Sequence, residues 1–160
     1  MIYIVCGLII AIIYCGDMWV KNRVEQQMGE EDNNSPKECA GACSLLGGRI
    51  LIRKYHNKGA ILNWGHKRRR MVAVVSVVLC VMMWGVFMLS FGHRGNHLLR
   101  IGLAFLLGGA FSNTYDRLKR QYVVDYFSFN VKWKRLGNVV FNISDFCIML
   151  GAVLMVIGTV

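Results

Sequence analysis

Asp125 and Asp145 are the side chains whose surroundings point most directly to chemistry. Asp125 sits in Val123-Val124-Asp125-Tyr126-Phe127, and Asp145 closes Phe141-Asn142-Ile143-Ser144-Asp145 inside an otherwise apolar C-terminal run. Ionisable groups at membrane depth are costly and by default mark function. Two carboxylates in one low-dielectric site cannot both ionise cheaply, so one keeps a proton while the other stays charged. That asymmetry supplies a base to activate water and an acid to protonate a carbonyl. No other nucleophile arrangement competes: the four histidines, His56, His66, His93 and His97, lie in or beside loops. Residue types alone leave two other readings open. The aspartates could form a proton relay in a small membrane carrier. Alternatively, Asp116, Arg117 and Asp125 could form an interfacial salt-bridge cluster, with Asp145 as a buried link between helices.

The elements that must position them are hydrophobic. The chain has 160 residues, 55% of them hydrophobic, which is too apolar for an ordinary soluble domain. Residues 1–14 carry no charge, and the run continues to Val20 with Asp17 as its one interruption. Residues 71–92 are uncharged and long enough to span a bilayer. Residues 139–160 are again of spanning length, broken by Asn142 and Asp145, whereas the run around 101–115 is shorter and contains Asn113. The expected fold class is therefore an all-α integral membrane protein. It has a single membrane domain over 1–160, with four transmembrane helices at roughly 1–20, 71–92, 98–116 and 139–160. A small β-rich element, residues 37–66, follows the first helix. The first run is read as a retained helix, because it lacks the basic start and small-residue cleavage site of a signal peptide.

A net charge of +10 would suggest nucleic acid in a soluble protein. Here the basic residues flank the spans, and Lys67-Arg68-Arg69-Arg70 directly precedes the second, where it can anchor among anionic head groups. No nucleic-acid partner is expected. Cys6, Cys15, Cys80 and Cys147 lie in apolar runs as small hydrophobic residues. Cys39 and Cys43 share a loop, which leaves a disulfide or a metal site open, although no second Cys pair or His completes a zinc pattern.

Ile50-Leu51-Ile52, continued by Arg53-Lys54-Tyr55-His56, reads as a strand ending in a turn at Asn57-Lys58-Gly59. The short connection at 92–96 forces an antiparallel helical hairpin. Aromatics gather at Tyr126, Phe127, Phe129 and Trp133. In the third helix, Gly108 and Ser112, and Gly109 and Asn113, stand four apart, so a neighbouring backbone can approach closely. Asn113, Asp116 and Arg117 share one face of that helix, and Asn142 and Asp145 share a face of the fourth. These polar faces should turn towards each other, because lipid offers them no partners.

Three blocks carry a resemblance over most of the chain, strongest at 102–151. Gly108-Gly109-Ala110, Asn113, Asp116 and Arg117 resemble the Gly-Gly-Ala-x-x-Asn-x-x-Asp-Arg block of the lipoprotein signal peptidases, also called signal peptidase II. Val123-Val124-Asp125 is similar to that family's Val-Val-Asp-Phe, with Tyr126 for Phe. Phe141-Asn142 and Asp145 are similar to its Phe-Asn-x-Ala-Asp, with Ser144 for Ala. Ser112 stands where the family has Gly. Upstream, Asp17 and Lys21 match Asp-Gln-x-x-Lys without the Gln. Asn57, Gly59 and Ala60 match part of Asn-x-Gly-Ala-Ala-Phe.

The resemblance implies a bacterial membrane aspartyl protease with Asp125 and Asp145 as the catalytic pair. Asn113, Asp116, Arg117 and Asn142 would support them, and Asn57, Gly59, Asp17 and Lys21 would contact substrate. The implied substrate is a lipid-modified prolipoprotein, cut before its diacylglyceryl cysteine. Membrane lipids would be the other partners. No metal or organic cofactor is implied, and the expected state is a monomer. The implied location is the bacterial cytoplasmic membrane, multi-pass, with the site towards the outer face. Charge bias points the other way: of the 19 Lys and Arg residues, 11 lie in residues 21–70, six in 117–135 and two, Arg94 and Arg100, in the connection between the second and third spans and the start of the third. The motifs are more specific than charge counting over a loop this long, so the outward orientation is the reading taken. A diverged paralogue is the alternative. It would bind signal-peptide-like helices without cutting them, or would cut another substrate.

Overall fold

The computed structural model describes residues 1–27, 43–45, 50–59, 69–92, 96–129 and 139–159, with 43–45 described by backbone alone. Cys39, the Cys43 side chain, His66, His93 and Trp133 lie outside the described residues, as does most of the insert expected over 37–66. The uncharged runs fold as helices: α1 (Ile2–Gln27), α2 (Arg69–Ser90), α3 (His97–Lys119) and α4 (Ile143–Thr159). Helices α1 and α2 are long and apolar enough to cross a membrane, while α4 is a shorter apolar helix of 17 residues. Large hydrophobic side chains such as Ile4, Leu8, Ile12, Val74, Val78 and Met82 stand exposed on α1 and α2. Acyl chains suit such surfaces and water does not.

Helix α3 packs against each of the other three. Its apolar face joins Cys6 of α1 and Phe87 of α2 through Leu103, Ala104 and Leu107. Against α4 it lies almost backbone to backbone. A Cβ added at Gly102 would meet the Gly151 carbonyl oxygen at 2.8 Å, and one at Gly109 would meet the Ser144 carbonyl oxygen at 2.5 Å. A Cβ at Gly158 would meet the Leu99 backbone nitrogen at 2.8 Å, so the seam stays closed to the end of α4. Gly102 and Gly109 are seven apart, as are Ser144, Gly151 and Gly158, which keeps one stripe of each helix facing the other. Gly108 instead admits Ile13 of α1. The four-residue spacing read from the sequence therefore serves two different neighbours. Gly151→Ala is expected to force α3 and α4 apart and cost about 1–3 kcal/mol. Gly7→Ala and Gly85→Ala, where nothing lies within 4 Å, should be silent. Thermal unfolding of the three variants in detergent checks this, and equal melting temperatures would contradict it.

A four-stranded antiparallel sheet, ordered β1-β2-β3-β4, caps one end of the helices. Its strands are β1 (Cys43–Leu45), β2 (Ile50–Asn57), β3 (Val123–Phe129) and β4 (Val140–Phe141). The β-rich element placed after the first helix thus supplies two strands, and the segment between α3 and α4 supplies the other two. The last helix starts at Ile143 rather than at 139, because Val140 and Phe141 pair with Ser128 and Phe127. One face of β3, with Val124 and Tyr126, packs on Val20 and Val24 of α1. Glu25, near the end of α1, ties β2 to this helix: it accepts from Tyr122 OH at 2.9 Å and meets His56 Nε2 at 3.1 Å.

Candidate active site

Asp125 lies on the face of β3 opposite Tyr126. The β2–β3 register sets Tyr55 across from Asp125, so Asn57, two residues on, is a diagonal neighbour on the same face. Its Nδ2 donates to Asp125 Oδ2 at 3.0 Å, while its own Oδ1 is held by the Gly59 backbone N–H at 3.1 Å. The turn read at Asn57-Lys58-Gly59 is thereby a device for aiming an amide.

Asp145 is placed by a capping box. Asn142 precedes the helix and its Oδ1 accepts from Asp145 N at 3.0 Å, while Asp145 Oδ2 accepts from Asn142 N at 3.1 Å. Asn142 is therefore the cap of α4 and not a residue on its face. With its carbonyl engaged, its Nδ2 points to Asp125 Oδ1 at 2.7 Å. Asn113 of α3 is oriented the same way: Lys21 Nζ donates to its Oδ1 at 2.8 Å, and its Nδ2 donates to Asp145 Oδ1 at 3.0 Å. Three asparagines thus have anchored carbonyls and present amide donors to two carboxylates, with one residue, Asn142, bonded to both. Asp125 is 2% exposed and Asp145 is partly open. Burial first, and repulsion from Asp145 second, push the Asp125 carboxyl up to about 7. Phe127, Phe129, Phe141 and Phe146 form one aromatic cluster, in which Phe127 and Phe146 stack with centroids 5.0 Å apart.

Arg117 reaches the Gly59 carbonyl and the Asn113 carbonyl, both at 3.5 Å, and its buried Nε has no partner among the described residues. Asp116 does not pair with Arg117. It bridges Lys21 at 3.1 Å and Arg120 at 3.0 Å. Asp17 and Lys21, expected at the substrate, are both 0% exposed and form a 2.7 Å ion pair beneath the site.

A family model described as signal peptidase (SPase) II matches residues 9–160. The chain belongs to the signal peptidase II family. It is 36% identical over 110 residues to a lipoprotein signal peptidase of Alteromonas mediterranea, covering 64% of this chain and 56% of that relative. It is 31% identical over 101 residues to one of Clostridium tetani, covering 63% of each. The match thus spans less than two thirds of either relative's length. Two solved structures, each described as a bacterial membrane enzyme obtained by the in meso method, share the fold. Their TM-scores are 0.77 and 0.75 at 18% identity, with 97% and 98% of this chain covered and 87% and 92% of theirs.

Within this signal peptidase II chain, three site neighbours went unread as polar contacts. Ser112, Tyr126 and Ser144 are the positions where it departs from the family in and beside the three blocks of residues 108–145. All three hydroxyls donate to Asp17: Ser112 at 2.6 Å, Tyr126 at 3.0 Å, and Ser144. The signal in the sequence was the departures themselves, each replacing a residue without a hydroxyl.

Proposed function

We propose that this protein is a membrane aspartyl endopeptidase that removes the signal peptide from diacylglyceryl-modified prolipoproteins, cutting before the lipidated cysteine. The observation that carries the reading is the set of three anchored asparagine amides converging on Asp125 and Asp145 in a member of the signal peptidase II family. Asp125, the more buried, keeps the proton and donates it to the scissile carbonyl. Asp145, partly open, stays ionised and takes a proton from the attacking water. The tetrahedral intermediate then collapses with proton return to the leaving amine. All four helices lie in the bilayer, with the sheet and the aspartates at the outer face of a bacterial cytoplasmic membrane. The enzyme acts as a monomer without metal or organic cofactor. A signal peptide, itself an apolar helix, enters laterally between helices, which accounts for a site built at one end of the bundle.

The test is a cleavage assay on purified protein in lipid, with a diacylglyceryl-modified prolipoprotein as substrate and mass spectrometry of the products. A peptide ending just before the modified cysteine is the expected product. Bound but uncut substrate would favour the non-cleaving paralogue instead.

The pH profile follows from Asp125. Its carboxyl must be protonated to act as the acid, and that form is lost as pH rises through about 7. Above that pH, kcat/KM is expected to fall about tenfold per unit. A rate that keeps rising through pH 8.5 would remove Asp125 from the acid role.

A further inference from the structure

We propose that Ser112, Tyr126 and Ser144 are positioning residues for the aspartate pair, acting together through the carboxylate of Asp17. The inference rests on the peptidase reading for its kinetic consequence, but its geometry stands without it.

Each hydroxyl residue is the immediate chain neighbour of a residue at the site: Ser112 precedes Asn113, Tyr126 follows Asp125, and Ser144 precedes Asp145. The three come from α3, β3 and α4, and Asp17 comes from α1, so the elements that carry Asn113, Asp125 and Asp145 meet at one side chain of α1. Asp17, Ser112 and Ser144 are 0% exposed and Tyr126 is 4% exposed, so water cannot take over any of these bonds. An ionised carboxylate only accepts, which fixes the direction of every hydroxyl around it. Ser112 donates to Asp17 Oδ2 and accepts from Lys21 Nζ at 3.1 Å. Tyr126 donates to Asp17 Oδ1, which turns its lone pair to the Ile143 backbone N–H at 3.0 Å. That N–H is one of the donors a helix start leaves without an intrahelical partner.

Tyr126 therefore couples the strand holding Asp125 directly to the first turn holding Asp145. Ser144 pulls the same turn onto α1, and Ser112 does so for the helix holding Asn113. Moving any one contact moves the functional residue next to it. None of the three touches the reacting groups, and Asp17 lies beneath them, so the effect on chemistry is one of placement. A family pattern with Gly, Phe and Ala at these positions has no hydroxyl to offer Asp17, so the clasp belongs to this chain's own sequence.

The experiment compares full-length wild type with Tyr126→Phe, Ser112→Ala and Ser144→Ala in lipid. It reads kcat and KM separately across pH, together with amide hydrogen exchange. Ser76→Ala serves as control, because Ser76 donates only within its own helix, to the Val72 carbonyl. Each of the three variants is expected to lose about tenfold in kcat with KM within about twofold, as expected for misplaced reacting groups. Tyr126→Phe should also raise exchange at Ile143–Asp145 about tenfold and leave α2 unchanged. A lowered melting temperature with kcat and the pH profile intact would overturn the proposal, since that is what a merely structural contact gives. A change confined to KM would overturn it in favour of substrate contact. If wild type cleaves nothing, the peptidase reading falls, and exchange decides alone: unaltered protection at the start of α4 in Tyr126→Phe overturns the clasp. Should Tyr126→Phe fail to fold, the two serine variants carry the same comparison.

Discussion

Asp125→Asn and Asp145→Asn are each expected to lower kcat by roughly 10³- to 10⁴-fold, with KM and the fold little changed. Asparagine keeps the volume of aspartate and can still accept from Asn142, so the hub of the site survives the change. What disappears is a group able to give or take a proton. In Asp125→Asn the new amide also faces Asn57 Nδ2, which holds the Asp125 Oδ2 position at 3.0 Å, so one of two donors must turn away. Because the pair acts as a unit, the double variant should be no slower than either single one. Single-turnover cleavage followed by mass spectrometry measures this. A single variant that kept a tenth of the wild-type rate would show that its carboxylate is not a proton-transfer partner. A double variant slower by the product of the two losses would show that the two aspartates act independently.

The parts of this site that could be read from the chain are those with local signatures. The helices announce themselves as uncharged runs, and Asp125 and Asp145 as carboxylates where carboxylates are costly. Asn142 was legible as a partner of Asp145 because three-residue spacing puts two side chains together either on a helix face or across a capping box. The spacing cannot say which, and the strand pairing of Val140 and Phe141 decides for the cap. The sheet was half legible. Ile50-Leu51-Ile52 is a strand by composition, but its partner, Phe127 to Phe129, lies across two helices and carries no local sign of the register. The aromatics at Tyr126, Phe127 and Phe129 marked the segment without saying what they paired with. The seven-residue seam of Gly102 and Gly109 against Ser144, Gly151 and Gly158 was present in the spacing, and the four-residue pattern beside it drew attention away. Asp17 and Lys21 were the hardest. The family resemblance implies that they contact substrate, and their spacing of four on α1 carries no sign of what they meet. Their remaining partners, Ser112, Asn113, Asp116, Tyr126 and Ser144, come from parts of the chain that meet only in three dimensions.

Removing Lys21 should therefore do more damage than a substrate contact would. Its ammonium is 0% exposed and lies 2.7 Å from Asp17, 3.1 Å from Asp116, 3.1 Å from Ser112 Oγ and 2.8 Å from Asn113 Oδ1. Lys21→Met is expected to destabilise the protein by about 3–5 kcal/mol, because it leaves buried carboxylates without their counter-charge. Arg120 still reaches Asp116 at 3.0 Å, so Asp17 bears most of the loss. The double variant Asp17→Asn/Lys21→Met removes the orphaned charge along with its partner and should recover part of that stability. Activity has a separate reason to fall. Without Lys21, the Asn113 side-chain oxygen keeps only the longer bond from Asn142 Nδ2, at 3.3 Å, among the described residues, and a flipped amide would set that oxygen against the Asp145 carboxylate. Lys21→Arg keeps the charge but replaces a compact ammonium with a planar fork in a fully buried space, so it is not expected to restore the wild type. Reversible unfolding in mixed micelles gives the stabilities, and the cleavage assay gives the rates. A Lys21→Met protein as stable as the wild type would mean that Asp17 and Asp116 take up protons instead of needing the lysine. A stable Lys21→Met protein with a raised KM and unchanged kcat would return Lys21 to the substrate.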